Sequence, residues 1–219
     1  MTRTPRARLR SDPVSEDHYF SARPASANER REITVSLAGR EFVLETAAGV
    51  FSPAHIDLGT TVLLRTVPAP APGDLLDLGC GWGPIALTAA LRQPQARITA
   101  VDVNERALDL LRVNAARVGA RATLAPITAC TPDDVPPDAV FDTIWSNPPI
   151  RIGKAALHDL LTQWVPRLRP GGEAYLVVQR NLGADSLAAW LAQQNWGDVT
   201  KIASAKGFRV LRLTRDDDA

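Results

Sequence analysis

The segment Asp77-Leu78-Gly79-Cys80-Gly81-Trp82-Gly83-Pro84 constrains this chain more than any other. A short apolar run, Leu75 to Leu78, leads into it, and a helical pattern from Pro84 to Arg92 leaves it, which predicts a strand-to-helix turn. Glycines let a backbone turn tightly and approach a ligand where any Cβ would collide. A dinucleotide-binding loop, G-x-G-x-x-G, would need glycine at position 84, where Pro84 stands; the glycines fall at Gly79, Gly81 and Gly83 instead. Pro84 suits a first helical turn, where its missing N–H costs nothing. Asp77 would sit badly beside a pyrophosphate but well beside a cationic amino group. The next strand, Arg97 to Val103, carries Asp102 near its end. A carboxylate leaving a strand there in a nucleotide-binding fold accepts the hydroxyls of a ribose, with the ligand across the carboxyl ends of the strands. The competing reading makes Asp77 and Asp102 helix caps and the glycines mere turn formers.

Around this loop the chain alternates strand and helix. Helices are predicted at 105–118, 154–168 and about 184–194, and strands at 123–127, 141–145, 173–179, 198–204 and 207–214. The alternation predicts an α/β fold with a mostly parallel sheet wrapped by helices. The last two strands are joined so briefly that they should pair antiparallel. Ahead of the loop, Ile33 to Leu37 and Phe42 to Leu44 flank a Gly-containing turn and read as a hairpin. A short helix follows at 60–66, and the Pro-rich stretch 67–73 reads as a stiff linker. Residues 1–30 lack apolar periodicity and carry Arg3, Arg6, Arg8 and Arg10 before any acid, so they read as a basic, flexible arm. The organisation expected is therefore arm (1–30), hairpin and linker packed on the core (31–72), and main domain (73–219).

The D-x-G-x-G-x-G loop with an acid at the next strand end resembles the class I S-adenosylmethionine-dependent methyltransferases, over roughly residues 73–214. The resemblance implies a Rossmann-like, seven-stranded sheet with a terminal antiparallel strand, and S-adenosylmethionine as cofactor. It implies that Asp77 and the loop (Gly79, Cys80, Gly81, Gly83) hold the methionine moiety and Asp102 the ribose, with adenine near Val103 and Cys130.

The strand at 141–145 ends in Ser146-Asn147-Pro148-Pro149-Ile150. Two prolines remove the backbone donors at 148 and 149 and fix an extended loop. The Asn147 amide oxygen and the Pro148 carbonyl are then acceptors without competing neighbours, suited to an NH2 group. An amine conjugated to an aromatic ring is a poor nucleophile because its lone pair is delocalised. Two acceptors favour a pyramidal nitrogen, aim its lone pair, and stabilise the charge that grows on it. The methylated ammonium loses its proton easily, so no strong base is required. The loop resembles the N/D-P-P-aromatic signature of methyltransferases acting on planar nitrogen, with Ile150 in place of the aromatic. The blander reading is a strand-terminating turn.

Further segments narrow the resemblance. Gly49-Val50-Phe51-Ser52, Asp57-Leu58-Gly59-Thr60, the SNPPIRIGK stretch and His18-Tyr19-Phe20-Ser21 are similar to the small-subunit rRNA guanine-N2 methyltransferases, the "methyltransferase small domain" group. That resemblance implies ribosomal RNA as partner, guanine N2 as the methylated atom, and Phe51, Asp57 and Thr60 beside the cofactor. Asn147, Pro148 and Pro149 are the expected catalytic residues, and Asn147 also borders the cofactor. Ile150, Arg151 and Lys154 are the expected substrate contacts. Another planar nitrogen (an adenine of tRNA or DNA, a protein glutamine, a small molecule) and a non-catalytic RNA-binding role remain open alternatives.

Composition mainly excludes. The net charge of +1 points to no polyanion by itself, and only Lys154, Lys201 and Lys206 among the 25 basic residues are lysine. No apolar run approaches the ~18 residues of a membrane span, and the start does not read as a secretory signal. Cys80 and Cys130 lack metal-ligand spacing, as do His18, His55 and His158, so no metal is expected and a reducing cytoplasm fits best.

Overall fold

The structure, a computed structural model, describes residues 29–216. The expected arm and its His18-Tyr19-Phe20-Ser21 element lie outside these residues, except that Arg30 already belongs to the first strand.

Strands β1 (Arg30–Leu37) and β2 (Arg40–Ala47) form a separate antiparallel hairpin. Its turn, Ala38-Gly39, has φ of 49° and 79°, the paired positive values of the tight hairpin turn whose twist matches the flanking strands. Helix α1 (Leu58–Thr66) begins two residues earlier than expected, because Asp57 caps it by accepting the N–H groups of Gly59 and Thr60.

The main sheet contains β3 (Asp74–Leu78), β4 (Arg97–Val101), β5 (Ile127–Cys130), β6 (Phe141–Ser146), β7 (Leu168–Gln179), β8 (Gly197–Ala205) and β9 (Phe208–Arg215). Their spatial order is β5-β4-β3-β6-β7-β9-β8, parallel except where β9 runs against both neighbours. This is the expected seven-stranded Rossmann-like sheet. Helices α2 (Pro84–Arg92), α3 (Glu105–Gly119), α4 (Lys154–Trp164) and α5 (Ala184–Ala192) provide the crossovers. Side chains alternate between the faces of each strand. In β3, Leu75 joins the cluster containing Ile85 and Ala86 of α2 and Leu108 of α3, whereas Leu76 and Leu78 join Leu161 of α4 and Leu187 of α5.

Three expected boundaries move for identifiable reasons. The third strand of the sheet in chain order, β5, starts at Ile127 rather than 123. Pro126 has no N–H for a ladder, and its carbonyl accepts from Ile98 where the pairing begins. Helix α4 ends at Trp164 because Pro166 cannot supply the next helical donor, and residues 165–167 tighten into a 3-10 turn. The Pro170-Gly171-Gly172 turn lies inside β7 as an outward irregularity. Pairing with β6 jumps there from Phe141–Leu168 to Thr143–Glu173.

The hairpin packs on α3. Leu37, Phe42 and Leu44 are buried in the same cluster as Leu111 and Val118. Asn114, fully buried on α3, accepts from the Glu45 N–H (2.7 Å) and donates to the carbonyls of Glu45 (2.9 Å) and Trp82 (3.1 Å). One amide thus ties the hairpin to the glycine loop. Arg117 reinforces the contact at the rim through Glu32 and Glu45. Among the described residues, no helix is long and apolar enough to cross a membrane, and no cluster of three or more potential metal ligands occurs.

Candidate active site at the carboxyl ends of the strands

A cavity of about 470 Å³ opens where β3, β4, β6 and β7 end, within the size range of small-molecule and cofactor sites. Its walls are the glycine loop (Leu78, Gly79, Gly81), the end of β4 (Val101, Asp102, Val103, Asn104), Ala107 of α3, and the segment from Val50 to Pro53 with Asp57. The loop after β6 supplies Asn147, Pro148, Pro149, Ile150 and Arg151, and the far side is made by Leu160, Gln179, Leu182 and Phe208. A small recess beside it is lined by Thr60, Cys80, Trp82 and Pro84, together with Gly79, Gly81, Asp57 and Asn147.

The glycines divide the work. Gly79 and Gly81 have φ of 80° and 54°, and an added Cβ at either would meet, among the described residues, no atom within 4 Å beyond its own chain neighbours. Both line the cavity, so the cradle they leave open faces the ligand space. Gly83 is different. With φ of 104° it precedes α2, and a Cβ there would stand 2.2 Å from Leu111 Cδ1. Its requirement is helix packing, and it lines neither the cavity nor the recess.

Asp102 is fixed in the cavity wall. Its Oδ2 accepts the Gly81 N–H (2.8 Å) and its Oδ1 the Asn104 N–H (2.9 Å), which binds the carboxylate to the loop and leaves further lone pairs over the cavity. Burial raises its pKa, opposed by these backbone N–H groups. Asn104 caps α3 and donates to the Gly49 carbonyl (2.8 Å), while Trp82 Nε1 donates to the Ser52 carbonyl (3.2 Å). Ser52 itself sits at φ 45° with its Oγ donating to the His55 carbonyl (2.7 Å). The 49–57 segment is thereby fastened over the glycine loop.

Asp77 does not face the cavity, contrary to the expected contact with a cationic amino group. Alternation in β3 puts it on the face of Leu75, under α2. It is completely buried there, and its Oδ2 accepts the Ala86 N–H (2.9 Å). Its Oδ1 has no hydrogen-bond partner among the described residues, and burial pushes its pKa up to about 8. Cys130 is a second correction. It packs against the α4/α5 cluster, and Pro132, two residues on, is what reaches the cavity. Burial raises the pKa of both Cys130 and Cys80, which keeps them as thiols. Lys154 is exposed at the start of α4 and does not line the cavity, whereas Arg151 does.

The loop after β6 also departs from expectation at one carbonyl. The Ile150 N–H donates to the Pro148 oxygen at 2.8 Å across Pro149, whose φ −74° and ψ 76° define an inverse γ-turn. Pro148 therefore offers a substrate its second lone pair, not an unused carbonyl. Asn147 donates from Nδ2 to Asp57 Oδ2 (2.9 Å) and to Thr60 Oγ1 (3.0 Å). Ser146 Oγ donates to the Leu78 carbonyl (2.6 Å), holding the ends of β3 and β6 together. Residues not anticipated from sequence include Pro132, Gln179, Leu182 and Phe208. Their available signal was position: Gln179 ends β7, and Phe208 opens the strand paired beside it.

These residues fit S-adenosylmethionine by their chemistry. The glycine cradle, the fixed Asp102 carboxylate, the apolar Val103, Ala107 and Pro132, and a second carboxylate at Asp57 match a cationic nucleoside ligand.

Known proteins place the chain. The profile of the methyltransferase small domain family matches residues 41–212. A Bacillus subtilis protein, uncharacterized protein YbxB, is 30% identical over 203 residues, covering 91% of this chain and 98% of its own length. Ribosomal RNA small subunit methyltransferase C of Pseudomonas entomophila is 33% identical over 207 residues, covering 92% of this chain but 59% of that enzyme. The solved 16S rRNA N2 G1207 methyltransferase of T. thermophilus, in complex with AdoMet and guanosine, superposes with a TM-score of 0.70 at 25% identity. That match covers 88% of this chain and 52% of the other. The chain thus spans little more than half the length of these RNA-modifying relatives. The family profile and the near full-length relative agree with the site: the chain belongs to the methyltransferase small domain family, with S-adenosylmethionine as its cofactor.

Proposed function

We propose that this chain methylates an exocyclic amine of a nucleic-acid base, with guanine N2 of ribosomal RNA as its substrate. The observation that carries the reading is that Asn147, Pro148 and Ile150 open into the same cavity as Gly79, Gly81 and Asp102. An acceptor pair for an NH2 group thus shares one space with a nucleoside-binding wall. The named relatives that act on ribosomal RNA support the choice of base and partner.

Bound S-adenosylmethionine supplies an electrophilic sulfonium methyl. The chain does the rest. Asp102 accepts hydroxyls of the ribose, and Val103, Ala107 and Pro132 flank the adenine. Asn147 Oδ1 and the second lone pair of Pro148 accept the two amine hydrogens, orienting the nitrogen lone pair and stabilising its growing positive charge. Ile150 packs against one face of the base, and Arg151 with nearby Lys154 offers positive charge to its phosphates. The product ammonium is acidic and releases its proton to water. The cytoplasm is the setting this activity requires.

The test is incubation of the chain with methyl-labelled cofactor and, separately, small ribosomal subunits, free rRNA, tRNA and DNA, followed by nucleoside analysis. Label in N2-methylguanosine from the ribosomal substrates is expected. Label only in methyladenosine, or in none of the four, would overturn the assignment.

A further inference from the structure

We propose that Asp57 and Thr60 are positioning residues that lock the Asn147 amide in one orientation, and that the lock makes aspartate unusable at position 147. The inference rests on the reading of Asn147 as an acceptor for the substrate amine.

The lock follows from donor and acceptor chemistry. Asp57 caps α1, its Oδ2 accepting the N–H groups of Gly59 (2.8 Å) and Thr60 (3.2 Å), so the carboxylate is fixed to the start of the helix. The same oxygen lies 2.9 Å from an Asn147 side-chain atom, and Thr60 Oγ1 lies 3.0 Å from it. Facing a carboxylate oxygen that already accepts two N–H groups, that atom must be the NH2 nitrogen. Both of its hydrogens are then used, one on Asp57 and one on Thr60. Flipping the amide would set oxygen against the Asp57 carboxylate oxygen and lose that hydrogen bond, and it would force the Thr60 hydroxyl to turn from acceptor to donor. Oδ1 is consequently held on the opposite side as an acceptor of defined direction.

The lock is itself packed in place. Thr60 is buried, and an added Cβ on Gly59 would stand 2.8 Å from Phe208 Cε1 and 3.0 Å from Asp57 Oδ2. Gly59 therefore lets the Phe208 ring, a wall of the cavity, close over the cap. In this way residues 57–60, some ninety positions from Asn147 in sequence, enter the reacting site. Aspartate at 147 would bring a second carboxylate to about 3 Å from Asp57. Two like charges so close cannot both ionise comfortably, and the first would have no donor to offer the second.

The experiment compares Thr60→Val, Thr60→Ser, Asn147→Asp and Asn147→Ala in the full chain. It reads methyl transfer to unmodified small-subunit rRNA, S-adenosylmethionine affinity, and thermal unfolding. It also reads, without substrate, hydrogen exchange of the Asn147 side-chain amide by NMR. Thr60→Val should lower kcat roughly 3- to 10-fold, the loss of one neutral hydrogen bond, with KM and cofactor affinity unchanged. Thr60→Ser should restore it. Asn147→Asp should lose about 100-fold or more, matching Asn147→Ala. The wild-type amide hydrogens should be protected, and less so in Thr60→Val. Wild-type turnover in Thr60→Val and Asn147→Asp, with Asn147→Ala impaired, would overturn the lock and leave the proposed function standing. Wild-type turnover in Asn147→Ala would overturn the function. If no transfer to rRNA is seen, amide hydrogens exchanging as freely as those of an exposed asparagine would still overturn the lock.

Discussion

Replacing Asp77 with asparagine should change the stability of this protein far more than its affinity for cofactor. The side chain is completely buried beneath α2, with one oxygen on the Ala86 N–H and the other without a partner among the described residues. Asparagine keeps the acceptor for Ala86 and removes the titration. Burial pushes the Asp77 pKa up to about 8, so the folded protein holds a proton there that the unfolded chain releases above about pH 4. A raised carboxyl pKa makes stability greatest below the unfolded value, with progressive loss as pH climbs toward the folded one. The slope is at most about 1.4 kcal/mol per pH unit. Urea unfolding of wild type and Asp77→Asn at pH 5, 6, 7 and 8 should show the variant gaining relative stability at each step. Asp77→Ala, which also strands the Ala86 N–H, should lose about 1–3 kcal/mol relative to Asp77→Asn at every pH. Parallel pH curves for wild type and Asp77→Asn would refute the buried, protonated carboxyl. A tenfold fall in S-adenosylmethionine affinity without a change in stability would show that Asp77 touches the ligand after all.

Further predictions separate binding from scaffold. Asp102→Ala should weaken S-adenosylmethionine binding about 10- to 100-fold by calorimetry, because it removes a charge-assisted ligand contact and frees the Gly81 N–H from its anchor. Gly83→Ala should destabilise the fold by about 1–3 kcal/mol in chemical denaturation, from the Leu111 collision and the positive φ. Gly79→Ala, whose Cβ would meet nothing among the described residues beyond its chain neighbours, should instead show its larger loss in cofactor affinity. Asn114→Ala should cost about 2–4 kcal/mol in thermal or urea unfolding by stripping partners from Glu45 and Trp82.

What the sequence revealed depended on how locally each feature is encoded. The glycine loop with Pro84, and Asp102 one strand on, carry their geometry in a few adjacent residues, and Gly79, Gly81 and Asp102 line the cavity. The first hairpin turn was also legible, since Ala38-Gly39 needs the positive φ that glycine tolerates, whereas the last turn, expected between strands 198–204 and 207–214 at Ala205-Lys206, lies one residue on at Lys206-Gly207. The direction of the Asp77 side chain was not legible, because a motif gives spacing but not the face of a strand. Parity with Leu75, not proximity to the loop, decides where its carboxyl points. Cys130 was displaced from the cavity for a related reason: the end of β5 is set by pairing with β4, and no residue near Cys130 announces that register. The Asp57–Asn147–Thr60 contact joins α1 to β6 through tertiary packing alone. Sequence placed these three residues in one neighbourhood only by resemblance, without their hydrogen bonds. Gln179 and Phe208 come from strand ends that meet only once the sheet order is known.

The central claim, that Asn147 acts on the substrate nitrogen during methyl transfer, is tested most directly by single-turnover methylation with Asn147→Ala alongside its cofactor affinity. Loss of an acceptor needed mainly as charge develops should slow the chemical step about 10²- to 10³-fold, by analogy with removing one oxyanion-hole donor. S-adenosylmethionine affinity should stay close to wild type, because Asp102 and the glycine loop are untouched. A single-turnover rate equal to wild type would contradict the claim and reduce the Asn-Pro-Pro loop to a structural turn.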